Sequence, residues 1–141
     1  MSTGKRETRK YVDFTPEEIK KYLDDLRRLV LDGMYVISKN ENRQENNDFI
    51  EEYKIDSKKE KEILLSLQFD DFCYAVDNEK EEFAHERLYI FCKEYELDNW
   101  GTLECVEIYI KTNMTKTRRG EEYMIVVSFH KRNKPITYLF K

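Results

Sequence analysis

The first apolar pattern along the chain is Ile19, Tyr22, Leu23, Leu26, Leu29 and Val30, spaced by three and four residues. That spacing puts all six on one face of an amphipathic helix. Thr15-Pro16-Glu17-Glu18 supplies its start. Thr15 can cap, Pro16 suits the first turn, and the two acids favour the positive end of the helix dipole. Gly33 is the natural stop. Met34 to Ser38 reads as a short strand. Residues 39–48, rich in Asn and Glu, have nothing to bury and are predicted to be a loop. A second helix is predicted from a cap at Asp56 or Ser57, through Lys58 to Leu67, with Ile63, Leu64 and Leu67 inward.

After Leu67 the period changes from helix to strand. Extended segments are predicted at Asp71 to Val76, Glu86 to Tyr95, Leu103 to Met114 and Glu122 to His130, with a fifth at Ile136 to Phe140. In the third, Val106, Ile108 and Ile110 share one face, and Glu107, Tyr109 and Lys111 the other. In the fourth, strict alternation groups Met124, Val126, Ser128 and His130 against Ile125, Val127 and Phe129. Residues 113–121 fit a hairpin connection with Gly120 near its end. Helices first and antiparallel strands afterwards make the fold class α+β, with N-terminal helices packed on a twisted antiparallel sheet. Residues 1–141 are read as a single domain, since 141 residues is an ordinary domain length. Residues 1–12, polar and basic, are its flexible end.

Charge modifies this picture. The formal net charge is −4, which weighs against a general nucleic-acid binder. The distribution is uneven, however. Lys111 to Lys134 holds seven basic residues and two acids, whereas Asp77 to Asp98 holds eight acids and three basic residues. One basic edge and one acidic face are expected, with the acidic stretch turned away from any phosphate partner. Cys73, Cys92 and Cys105 form an odd set without Cys-x-x-Cys spacing, which argues for free thiols in a reducing compartment and against a zinc site. No apolar run is long enough to span a bilayer and no signal-peptide core is visible, so a cytoplasmic protein with no membrane partner is expected.

The candidate chemistry rests on the chain's two histidines, His85 and His130, both in strand-like surroundings. Histidine titrates near neutrality, so a pair can act as general base and general acid without a metal or cofactor. Pairing the strands that flank 113–121 puts Tyr109 and Lys111 near His130. Lys116, Arg118 and Arg119 lie in the connection, and Lys131, Arg132 and Lys134 follow His130. Cleavage of RNA through its 2′-OH needs a base, an acid and cations for the charge that develops on phosphorus-bound oxygens. His85 and His130 are the acid–base candidates, Lys111, Arg118 or Arg119 the cation, and Tyr109 a hydroxyl donor. A glycine-rich phosphate loop, His-Glu-x-x-His and Gly-x-Ser-x-Gly are all absent.

These residues resemble a known family. Ile63 to Phe72 is similar to the short helix, Leu and Asp-Phe that lead into the sheet of MqsR-type toxins. Val106 to Lys111 resembles that family's Tyr-x-Lys strand, and Ile125 to His130 its final Val-Ser-Phe strand. The pattern Asp-Phe-Cys-Tyr, His-Glu-x-Leu-Tyr, Tyr-Ile-Lys and Val-Ser-Phe-His stands at Asp71 to Tyr74, His85 to Tyr89, Tyr109 to Lys111 and Val127 to His130. The resemblance covers roughly residues 20–134. It implies a RelE-like domain over 13–141, an mRNA endoribonuclease acting on single-stranded RNA, and a cognate antitoxin protein as partner. The family's catalytic Tyr corresponds to Tyr109 and its final Lys falls on His130. Its first Lys falls near Tyr74, and its Gln has no placed match. The site so assembled is His85, His130, Tyr109 and Lys111 for catalysis, with Tyr74, Lys116, Arg118, Arg119, Lys131 and Arg132 for RNA. The alternatives are a non-catalytic RNA- or protein-binding module on the same fold, and a phage or mobile-element interaction protein.

Overall fold

The structure is a computed structural model that describes residues 9–39, 43–78 and 86–141. Its centre is a sheet of six strands in the order β1-β3-β4-β5-β6-β2. These strands are β1 (Lys10–Tyr11), β2 (Tyr35–Ile37), β3 (Phe72–Asp77), β4 (Arg87–Asn99), β5 (Thr102–Lys116) and β6 (Glu122–Lys131). All neighbours pair antiparallel except β2 and β6, which run parallel. Three helices, α1 (Pro16–Leu31), α2 (Gln44–Glu52) and α3 (Ser57–Leu65), complete the α+β fold. Among the described residues no helix is long and apolar enough to cross a membrane.

Helix α1 starts as its sequence predicts. The Thr15 hydroxyl accepts from the Glu18 amide and the Glu18 carboxylate accepts from the Thr15 amide, a reciprocal capping box. Gly33 leaves the helix at φ +71°, where a side chain would be strained. Asp56 caps α3 by accepting from the Lys59 amide at 2.8 Å. The inward stripe of α1 packs with Ile63 and Leu64 of α3 on one face of the sheet, against Phe72, Phe91, Ile108, Ile110, Met124, Val126 and Phe129. Tyr22 of α1 stacks on Tyr89 of β4 with centroids 3.9 Å apart, and its hydroxyl meets that of Thr112 at 2.7 Å.

Three expectations need correction. Residues 39–48 are not all loop, since α2 begins at Gln44 and buries Asn46 and Phe49. Polar composition hid this because Asn46 is buried by hydrogen bonding rather than by apolarity. Ile136 to Phe140 is not a strand. It lies across the sheet on a single backbone bond, from the Leu139 amide to the Phe72 carbonyl at 3.1 Å. The alternation in β6 is also broken. Lys111 pairs with Ser128 and Thr112 with Val126, so Val127 is the extra residue of a β-bulge. Met124, Val126 and Phe129 therefore share the helix-packed face, and His130 turns to the other one, opposite Tyr109.

Asn46 holds this irregular stretch. Its Nδ2 donates to the carbonyls of Ser38 (2.9 Å) and Val127 (3.0 Å), and its Oδ1 accepts from the Phe129 amide at 2.8 Å. Strand β2 pairs with β6 only as far as Val126, and the carboxamide then stands where the next peptide of β2 would. Asn46 is 1% exposed. Replacing it with Ala would leave buried backbone groups without partners, at about 2–4 kcal/mol in all. Asn46→Ala is expected to lower the chemical-denaturation free energy by that amount, whereas Glu51→Ala, at an exposed position of the same helix, changes it by less than about 0.5 kcal/mol.

The three thiols separate by environment. Cys73 and Cys92 are buried and Cys105 is exposed. Burial pushes the Cys73 thiol up to about 12 and raises that of Cys92 as well. Neither is thiolate at pH 8, and thiolate is the reactive form. A disulfide reagent is expected to titrate one thiol in the native protein and three after denaturation. Rapid native labelling of all three would show that Cys73 and Cys92 are open to solvent, against their burial.

Candidate nucleic-acid interface

The sheet face opposite the helices carries a second, smaller apolar layer. It contains Cys73, Tyr74, Val76, Leu88, Ile90, Cys92 and Tyr109, with Val127, Ile136 and Tyr138 packed against it. Among the described residues, none of those that make up or pack against this layer comes from a helix. A groove of about 740 Å³ lies over it, floored by Leu88, Ile90, Ile125 and Val127. Its rim is polar and mostly cationic. Lys10, Arg43, Lys111, Lys116 and Lys134 line it against the carboxylates of Asp77 and Glu86. Among the described residues of this surface, five cations face two acids, the opposite balance to the molecule's net charge.

Strand alternation places the central residues. Tyr109, Lys111 and Asn113 follow one another at every second position of β5, and all line the groove. Tyr74 reaches the same face because β3 carries a bulge between Phe72 and Tyr74, which pairs Tyr74 with Ile90. The Lys10 ammonium sits over the Tyr74 ring at 4.6 Å, and that of Lys134 over the Tyr109 ring at 5.2 Å. Such contacts hold cations beside phenol edges in a partly desolvated site.

Tyr109 is 3% exposed, and its hydroxyl has no hydrogen-bond partner. The Tyr74 phenol is near enough to influence its ionisation without reaching hydrogen-bond geometry. Burial raises the Tyr109 phenol far above its ordinary value, and that of Tyr74 also rises by burial. Tyr109 is thus a protonated donor throughout the neutral range, never a base. The Oδ1 atom of Asn113 is likewise buried and without a partner. Two orphaned polar atoms in one groove are a cost that a folded core would ordinarily avoid.

His130 lies directly behind this site. Its ring stacks on Tyr109 with centroids 5.4 Å apart and planes at 22°. Its Nδ1 meets the Lys131 carbonyl at 2.8 Å. A carbonyl only accepts, so Nδ1 carries the proton and Nε2 is the basic nitrogen of the neutral ring. The Glu45 carboxylate is 3.8 Å from Nδ1, and Asn133 donates to the same oxygen.

The site predicted from sequence is only partly assembled. Tyr74, Tyr109, Lys111 and Lys116 line the groove, and His130 supports Tyr109. Lys131 points the other way, to the Glu52 carboxylate at 3.1 Å and over the Tyr53 ring. Arg132 is paired with Glu107, Nε to Oε2 at 2.6 Å. Arg118 and Arg119 are exposed in the tight turn between β5 and β6, which Gly120 closes at φ +86°. His85 lies outside the described residues. The expectation that the acidic stretch turns away from the basic face fails at Asp77 and Glu86, which both line the groove. Sequence reasoning missed Lys10, Arg43, Asn113 and Tyr123 as lining residues. Asn113 was recoverable from its parity with Lys111. Lys10 and Arg43 arrive from the edge strand and from the start of α2, through tertiary structure alone.

The chain matches no family model, no curated protein and no solved structure.

An unpaired buried hydroxyl opposes folding, and its removal tests the geometry directly. Tyr109→Phe is expected to leave stability unchanged or raise it by about 1 kcal/mol, read by thermal or urea denaturation. A loss of more than about 1 kcal/mol would mean that the hydroxyl has a structural partner.

Proposed function

We propose that this protein is an RNA endonuclease whose site is the groove on the helix-free face of the sheet. The observation that supports it best is the buried, protonated and unpartnered Tyr109 hydroxyl in a groove rimmed by five cations. A donor held ready among cations suits an oxygen on which negative charge develops. The concave face is open enough for an extended strand, and its tyrosines offer rings for bases to stack on.

In this reading the ribose 2′ oxygen attacks the adjacent phosphorus. The 5′ oxygen leaves, giving a 2′,3′-cyclic phosphate and a 5′-hydroxyl end. Lys111 and Lys134 stabilise the phosphorane charge, and Tyr109 donates to a non-bridging oxygen. His130 works through Nε2 as one acid–base group, and His85 is the candidate for the other. Helices in the first half of the chain and a mostly antiparallel sheet are compatible with a RelE-like domain. The ordered motifs that resemble MqsR-type toxins add a cytoplasmic setting and an antitoxin that restrains the enzyme.

A second reading is favoured by one observation. His130 is 9% exposed and is not among the residues that line the groove. A non-catalytic RNA-binding face would use Tyr109 and the cations but have no need of a histidine behind them.

Incubation of purified protein with single-stranded RNA separates the two. The endonuclease reading expects cleavage that persists in EDTA and leaves a cyclic phosphate. His130→Ala is expected to lower the rate by about 10²–10⁴-fold with the circular dichroism unchanged. Lys116→Glu is expected to weaken RNA binding and flatten its salt dependence, whereas Lys131→Glu, on the far side, leaves both unchanged. Salt-sensitive binding without cleavage would favour the binding module. Cleavage that EDTA abolishes and a divalent ion restores would reject the mechanism.

A further inference from the structure

The groove has two chemically distinct ends. Tyr109 and Lys134 stand at one. Glu86 and Asn113 stand together further along, where the groove meets β3 and the start of β4. This second end does not suit phosphate. A carboxylate in a cationic groove opposes a polyanion, so Glu86 needs a different explanation from its lysine neighbours.

Hydrogen-bond geometry supplies one. Asn113 Nδ2 donates to Glu86 Oε1 at 3.3 Å. A carboxylate cannot donate, so the amide nitrogen must be the atom that faces it. Asn113 Oδ1 is thereby turned elsewhere, and it is buried with no partner. The residue is 5% exposed and lines the groove. Among the described residues Glu86 has taken one amide donor, while a carboxylate can accept about four. The result is a pair of acceptors side by side, one carboxylate and one amide carbonyl. A ligand must bring donors to satisfy them.

We infer that Glu86 and Asn113 form a base-reading subsite selective for guanine. The inference rests on the RNA-binding part of the proposed function and names the chemistry that part leaves open. Guanine presents two adjacent donors, N1–H and the 2-amino group, on its Watson–Crick edge. Adenine and cytosine each offer one exocyclic amino group beside a ring acceptor, and uracil offers one N–H between two carbonyls. Only guanine meets two neighbouring acceptors without placing an acceptor against one of them. Reading an unpaired base by its Watson–Crick edge is the usual route to specificity in single-stranded RNA. The lysines along the groove would meet phosphate, which carries no sequence information.

The test is binding of 2′-O-methyl heptanucleotides, which lack the nucleophile and cannot be cleaved. The oligonucleotide is all-uridine except for one central guanine, inosine, adenine, cytosine or uridine. Fluorescence anisotropy is expected to show the guanine form binding about tenfold or more tighter than the uridine form. Inosine retains N1–H but lacks the 2-amino group, so it is expected to fall between them. Glu86→Gln converts one acceptor edge into a mixed one, and it is expected to remove the guanine preference. Equal affinity for all five in salt-sensitive binding would overturn the base subsite and leave the RNA-binding groove standing. Preference for adenine or cytosine would overturn the paired-acceptor argument. Absence of binding to any of them would overturn both the groove's assignment and this inference. The comparison of guanine with inosine uses the unmodified protein, so it holds even where a variant fails to fold.

Discussion

The arrangement of the groove depends on one side-chain amide. Asn46 takes up the backbone of β6 at the point where β2 ends, bonding Val127 and Phe129 on either side of Ser128. Without it, an irregular strand next to the core would carry unmet backbone groups, and buried backbone groups are rarely left unpaired. The bulge it accompanies changes which side chains face where. Phe129 goes to the core and His130 goes to Tyr109. In a regular strand His130 would share a face with Met124 and Val126, among the helices. A residue in a polar stretch therefore governs the far surface of the sheet.

That surface is made at some cost to stability. A phenol hydroxyl and an amide oxygen are buried without partners, and cations are gathered around them. Both costs are local, and the opposite face carries the larger apolar core that offsets them. The aromatic cluster of Phe14, Phe72, Tyr89, Phe91 and Tyr22 sits on that face and needs nothing from the groove. The division explains how an acidic protein can present a basic site. The negative charge belongs largely to helix α2, which carries four acids and no basic residue, while alternation along β5 and the edge contributions of Lys10 and Arg43 decide the groove.

Much of the fold was legible in the sequence, for physical reasons that can be named. The stripe of α1 and its Thr15 cap are local signals, and both held. So did the caps of α3 and the alternation of Val106, Ile108 and Ile110. Helix α2 was not legible, since its first turn is polar and its buried Asn46 is recognised only by its partners in β6. The bulges were not legible either. A one-residue irregularity leaves composition unchanged but inverts every side chain beyond it. This is why Tyr109 and Lys111 could be placed from periodicity while His130 could not. Charge runs misled in the expected direction, because position in sequence does not give direction in space. Lys131 and Arg132 belong to the predicted basic run yet are spent on Glu52 and Glu107.

The central claim is that RNA lies on the helix-free face of the sheet. Photo-crosslinking with 4-thiouridine RNA, followed by mass spectrometry of the joined peptides, tests this most directly. The account predicts adducts on the aromatic residues of the groove, Tyr74, Tyr109 and Tyr123. Adducts concentrated on Tyr53, Tyr95 or Trp100, outside the groove, would contradict it.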